Sequence, residues 1–201
     1  TNIGGSAYDD GAGVIQTPNG EYIAVGHTGS TDKDLTGLRN TRDADGIIYK
    51  LDANGNLIWI KSIGNPNSVD YITDIEIVSD GGFVISGYST SNEEEFLNLN
   101  KGERDAFVMK FDYDGNMQWV NTFGGSDDEY SYSIKPIKDG YILSGYSYSN
   151  DGDFAGLNKG DRDGFVVKID LLGNKQWITT IGGSSEDVLY DLFALNNKGY
   201  L

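Results

Sequence analysis

Three tryptophans set the period of this chain. Trp59, Trp119 and Trp177 stand sixty and then fifty-eight residues apart. Ile3-Gly4-Gly5-Ser6, Phe123-Gly124-Gly125-Ser126 and Ile181-Gly182-Gly183-Ser184 follow the same spacing, and Ile63-Gly64-Asn65-Pro66 fills the gap between the first two. Gly87 to Asp105 aligns without a gap onto Gly145 to Asp163, while the first copy, Gly26 to Asp45, is one residue longer. A repeat of this size marks one supersecondary unit that cannot hide its apolar faces alone and must stack on its neighbours. The units run over 4–63, 64–123 and 124–181, with a partial one at 182–201, all within a single domain spanning 1–201.

Within a unit the pattern predicts four short strands. In the second, strand one covers about 70–79, where Ile75 and Ile77 alternate with Asp74 and Glu76. Strand two is 83–88 after the turn Asp80-Gly81-Gly82, strand three is 106–111, and strand four runs from Asn116 through Trp119 to Phe123. Such apolar runs joined by Gly-containing turns signal antiparallel hairpins. With 28 Gly and only 3 Pro in 201 residues, long helices are not expected, yet 8 Phe, 13 Tyr and 3 Trp supply a core. The fold class expected is all-β: four-stranded antiparallel β-propeller blades, with Trp and Phe between blades. The chain opens on the tail of a fourth strand, Asn2-Ile3-Gly4-Gly5, and stops in a second strand at Lys198-Gly199-Tyr200-Leu201. Three and a half blades are too few to close a ring, so an incomplete portion of a larger propeller is expected, with self-association through its open blade edges.

Charge and composition narrow the partners. A net charge of −16 repels phosphate backbones and anionic headgroups, which excludes nucleic-acid and membrane-surface roles. No apolar run is long enough for membrane insertion by a helix. The absence of cysteine removes disulfides, thiolate metal sites and thiol nucleophiles, and it is compatible with a secreted bacterial protein.

The candidate chemistry is sparse. His27, the single histidine, occupies the slot of Tyr88 and Tyr146 and is read as a substitution within a structural position, not a catalytic base. Acidic groups such as Asp9 and Asp10, Asp127 to Glu129, or Glu186 and Asp187 suit a glycosidase only if they flank a cleft. Asp52-Ala53-Asn54-Gly55-Asn56, Asp112-Tyr113-Asp114-Gly115-Asn116 and Asp170-Leu171-Leu172-Gly173-Asn174 keep Asp, Gly and Asn in common and are read as tight turns. The long loops after strand two offer the better cation site. Asp32 and Asp34 in the first, and Asp151, Asp153, Asp161 and Asp163 in the third, are candidate Ca²⁺ ligands, since hard cations take several carboxylate oxygens. The competing reading has Asp capping a turn, Leu35, Phe96 and Phe154 plugging the core, and Gly37, Asn98 and Gly156 taking positive φ. Asp45, Asp105 and Asp163, before each third strand, are expected to be buried and hydrogen-bonded. Tyr130, Tyr132, Tyr146 and Tyr148 concentrate aromatic surface around one unit.

The recurring string is best preserved in Gly64–Trp119, with Arg104-Asp105-Ala106-Phe107-Val108-Met109-Lys110, and in Gly124–Trp177, with Arg162-Asp163-Gly164-Phe165-Val166-Val167-Lys168. It resembles the seven-bladed β-propeller repeat family of bacterial secreted and surface proteins; the first copy departs, reading Ala44-Asp45-Gly46-Ile47-Ile48-Tyr49-Lys50. The resemblance implies an extracellular or cell-surface module that is not an enzyme, needs no cofactor, and serves scaffolding, adhesion or recognition. Loops 29–43, 90–103 and 148–161 would present the surface for a protein or glycan ligand. A lectin-like propeller and a glycosidase using loop carboxylates are the alternatives.

Overall fold

The computed structural model describes residues 2–38, 44–65, 67–195 and 199–200. These form three four-stranded antiparallel sheets and a small hairpin. The first sheet comprises β1 (Asp9–Gln16), β2 (Tyr22–Thr28), β3 (Asp45–Leu51) and β4 (Leu57–Ile63); the second, β5 (Asp70–Ile77), β6 (Phe83–Ser89), β7 (Asp105–Phe111) and β8 (Met117–Phe123). The third holds β9 (Glu129–Ile137), β10 (Gly140–Ser147), β11 (Asp163–Asp170) and β12 (Lys175–Ile181), and β13 (Ala194–Leu195) pairs with β14 (Gly199–Tyr200). Strands lie in chain order within each sheet, as expected of consecutive hairpins. Each first strand carries a register shift opposite the second, and each third strand another opposite the fourth. The units therefore share their bulges as well as their strands.

The hairpin turns show why Asp, Gly and Asn recur. Asp112 Oδ1 accepts the amides of Asp114 and Asn116, and Asn116 Nδ2 donates to Oδ2; Asp52 and Asp170 bond their own turns in the same way. Gly55, Gly115 and Gly173 take φ of 81°, 76° and 85°, where a side chain is strained. The long loops begin with short 3₁₀ turns at Lys33–Leu35, Glu94–Phe96 and Gly152–Phe154, which drive Leu35, Phe96 and Phe154 to complete burial. Gly37, Asn98 and Gly156 take positive φ just after them. Residues 39–43 of the first loop, Pro66 in the second unit's Gly64 segment, and Lys198 and Leu201 at the expected last strand lie outside the described residues.

Two cores hold the row together. One lies between the first and second sheets, around Ile48, Phe83, Phe96 and Phe107; the other lies between the second and third, around Val108, Phe123, Phe154 and Phe165. The middle sheet serves both, so β7 is buried at every position and reads as the unbroken run Ala106-Phe107-Val108-Met109. Each fully buried Phe or Ile contributes about 1.5–3 kcal/mol by leaving water. β12, with one face uncovered among the described residues, alternates instead. Each sheet's first strand packs across the preceding sheet, β5 on β1 to β3 and β9 on β5 to β7. The same backbone bond fastens each junction: Asp70 N donates to Ala44 O (2.8 Å), Glu129 N to Arg104 O (2.6 Å) and Asp187 N to Arg162 O (2.9 Å).

The tryptophans lie on these junctions. Trp59 covers the turn at Gly115 so closely that a Cβ there would stand 2.6 Å from its ring, and Trp119 covers Gly173 likewise at 2.7 Å. Lys61 Nζ donates to Gly115 O, and Asn121 Nδ2 donates to Gly173 O at 2.8 Å. Trp177 has no such turn over it among the described residues and is 40% exposed. The two rings that have a following sheet are thus partly buried and pack against the cores between sheets.

Candidate functional site

The Gly-Gly-Ser segments form the hub of each junction. In the first unit Gly4 N donates to Asp34, Gly5 N to Asp9, Ser6 N to Asp32 and Ala7 N to Ser30 Oγ. The third unit repeats the set position for position, with Gly124 N on Asp153, Gly125 N on Glu129, Ser126 N on Asp151 and Asp127 N on Ser149 Oγ. Four successive amides are thereby satisfied by carboxylates and a hydroxyl, the charge-assisted form of an otherwise exposed turn. The second unit breaks the pattern in its sequence. Pro66 has no N–H to offer there, and the residue matching Asp32 and Asp151 is Glu93.

This arrangement locates the six candidate cation ligands. Asp32, Asp34, Asp151 and Asp153 bind backbone amides, and Asp153 also takes Lys175 Nζ and lies 3.3 Å from Lys101 Nζ. Burial acts to raise the Asp153 pKa, but the two lysines and the Gly124 amide outweigh it and hold the carboxyl below its ordinary value. Asp163 is buried beneath β11, where one oxygen accepts Lys159 N at 2.9 Å. Asp161 is exposed on the loop tip. Among the described residues no three acidic or histidine side chains converge as a cation cage would require.

Behind the hub lie three buried acids: Asp105, expected to be buried and bonded, Glu129, read only as part of an acidic run, and Asp70, which sequence reasoning passed over. Glu129 binds Ser147 Oγ and the Gly125 amide, and Asp70 binds Ser68 and Ser89. Both are fully buried, and burial pushes Glu129 up to about 7 and Asp70 up to about 6. Asp105, which accepts Lys101 N at 3.0 Å, is raised by burial to about 6 against the pull of Lys101. Its other oxygen faces Gly124, where an added Cβ would stand 2.2 Å away. The signal was present in the chain: an acid follows the first glycine at five or six residues in all four copies.

Toward the loop-bearing ends of the sheets runs a chain of rings. His27 lies tilted against Tyr71 at 4.0 Å, Tyr71 stacks on Tyr88 at 5.1 Å, Tyr88 meets Tyr130 at 4.6 Å, and Tyr130 stacks on Tyr146 at 4.9 Å. Register confirms that His27 fills the slot of Tyr88 and Tyr146, since each faces the second residue of its sheet's third strand. Burial lowers the His27 pKa, partly offset by Asp10 at 3.6 Å. Two guanidiniums lie against the rings. Arg104 pairs with Asp128 at 3.0 Å and reaches Tyr130 Oη at 3.2 Å; Arg162 lies 4.7 Å over Tyr146, donates to Tyr148 Oη and pairs with Glu186 at 2.8 Å. Between them opens a cleft of about 430 Å³ lined by Glu103, Asp127, Asp128, Tyr130, Tyr148 and Asp161. It gathers Asp161 with two of the four clustered tyrosines, while Tyr132 lies between Tyr146 and Tyr190.

No protein-family model matches the chain. Over 184 residues, 87% of its length, the chain is 27% identical to regulatory protein FlaEY of Caulobacter vibrioides. The chain spans 17% of that protein's length.

Proposed function

We propose that the three sheets are consecutive blades of a β-propeller of the bacterial seven-bladed type, and that they act as a non-catalytic recognition module. The observation that carries this reading is how the loop carboxylates are used. In the two intact copies they are spent on backbone amides of the Gly-Gly-Ser hub. A glycosidase needs one carboxyl free to donate a proton and another free to attack or activate water. The acids with raised pKa, Glu129, Asp105 and Asp70, are buried and do not line the cleft beside Tyr130 and Tyr148. His27 is flanked by Asp10, Tyr8 and Tyr71. What remains for ligands is the surface of the three long loops, anchored in the core by the buried side chains of Leu35, Phe96 and Phe154.

A match to 17% of a larger protein is in keeping with a module set inside a longer architecture. An extracellular or cell-surface setting belongs to the same proposal and rests on the family resemblance. The test is binding of the chain to glycan and protein arrays, repeated with Asp161→Asn on the loop rim and with Asn54→Ala on the opposite turn. Binding lost with the first and kept with the second supports the reading. Turnover of a polysaccharide, abolished by one carboxylate substitution, overturns it.

A further inference from the structure

Within a repeat, positions that recur hold the fold, and positions that recur elsewhere but change in one unit are free for function. The cleft between the second and third sheets divides along this line. The buried layer next to it repeats: Ser147 matches Ser89 and Thr28, and Ser149 matches Ser91 and Ser30, each pair joined by the same amide-to-hydroxyl bond. The rim of the cleft does not. The bonds Tyr148 N to Asp128 O, Thr90 N to Val69 O and Gly29 N to Tyr8 O fix the correspondence. Asp127, Asp128 and Tyr148 therefore stand where the second unit has Ser68, Val69 and Thr90, and where the first has Ala7, Tyr8 and Gly29. Three changes converge on one cavity.

We infer that this cleft binds the ring of a neutral saccharide. The inference rests on the recognition reading above and names the ligand class for it. A sugar ring presents an apolar C–H face and a girdle of hydroxyls, so its site needs a fixed aromatic wall and fixed acceptors. Tyr130 and Tyr148 supply the wall. Tyr130 is held by its stack on Tyr146 at 4.9 Å and by Arg104 on its hydroxyl; Tyr148 is held edge-on to Tyr146 at 5.8 Å and by Arg162 on its hydroxyl. Glu103, Asp127 and Asp161 supply acceptors, each carboxylate able to take two hydroxyls, and no cation lies within ion-pair distance of them among the described residues. A cavity of about 430 Å³ suits a small ligand. Phosphates, sulfated sugars and uronic acids are repelled by four carboxylates in a chain of net charge −16.

The test is titration of the full chain with neutral hexoses, N-acetylhexosamines and their short oligomers, followed by calorimetry and by amide shifts. At least one sugar is expected to bind and to shift amides around 127–130 and 148. Tyr148→Thr and Asp127→Ser, which install the second unit's residues, are expected to weaken it at least tenfold without moving the melting temperature. Equal affinity in those variants, or shifts centred on Trp177 instead, would overturn the inference. Binding of an oligolysine probe at the cleft with no response to any sugar would also overturn it while leaving the recognition reading intact. A sugar that is hydrolysed, not merely bound, would sink the recognition reading and not the assignment of ligand class.

Discussion

Gly124 shows how a single residue ties two sheets together. Its amide belongs to the third unit's Asp153, while its α-carbon abuts the buried Asp105 of the second. Gly124→Ala is expected to cost about 1–3 kcal/mol as the overpacked junction shifts. Gly183→Ala, where an added Cβ meets nothing within 4 Å, is expected to change stability by less than about 0.5 kcal/mol; urea midpoints for the two variants check the contrast. The sequence announced the glycine but not its reason, because the partner carboxylate lies nineteen residues earlier, before a different strand. The same buried acids set the response to pH. Unfolded, Glu129, Asp105 and Asp70 ionise near pH 4; folded, they ionise at about 7, 6 and 6. Between those limits the fold keeps protons that the unfolded chain has lost, so stability falls as pH rises toward 7 and levels off above it. At about 1.4 kcal/mol for each pH unit between unfolded and folded ionisation, the drop from pH 4.5 to 8 is expected to reach several kcal/mol. Asp153, Asp112 and Asp170, whose pKa values are lowered, contribute stability that is lost only on acidification below the ordinary carboxylate range. Urea unfolding across this window, with Glu129→Gln flattening the slope, is the measurement; stability that is flat or rises with pH would refute it.

At the level of elements, strands and turns were legible because hairpins are local. The expected second-unit strands at 70–79, 83–88, 106–111 and 116–123 correspond to β5 to β8 within two residues, and the Asp-Gly-Asn turns close on themselves. The long loops were harder to read. Carboxylates two residues apart, as in Asp151 and Asp153, suit a cation and suit a pair of amides equally well, and only the position of Gly124 to Ser126 in space distinguishes the two. Since those amides and Lys175 already occupy the oxygens, the melting temperature is expected to be the same in millimolar Ca²⁺ and in chelator. A ligand that binds only the fold must raise it in proportion to the logarithm of its excess over Kd, so a rise of several degrees that disappears in Asp151→Asn would restore the cation reading. The Arg104–Asp128 and Arg162–Glu186 pairs were missed for a related reason. Each joins residues twenty-four positions apart across two units, a separation that hairpin logic does not connect.

For the whole molecule, the repeat carried nearly all the information: a unit that recurs must bury one face on its neighbour, and the two cores do so. Where that neighbour contact is missing among the described residues, the equivalent side chains lie open. Val14 is 63% exposed, although Ile75 and Ile134, its counterparts in the next two sheets, are 4% and 0% exposed. Trp177 and Ile181 are 40% and 55% exposed, although Trp59 and Trp119 rest on a following turn and Ile63 and Phe123 are buried. The outer sheets thus present the same surfaces that join the inner ones, and such surfaces associate whenever they meet. Sedimentation velocity is expected to show concentration-dependent self-association of the chain. Trp177→Lys with Ile181→Lys is expected to suppress it and leave the unfolding midpoint within error, because neither side chain belongs to a described core. Trp119→Lys should do the reverse, destabilising the fold by about 2–4 kcal/mol through a damaged junction. A chain that remains monomeric at high concentration, or one whose association survives the paired lysines, would show that these faces are not what drives the sheets together.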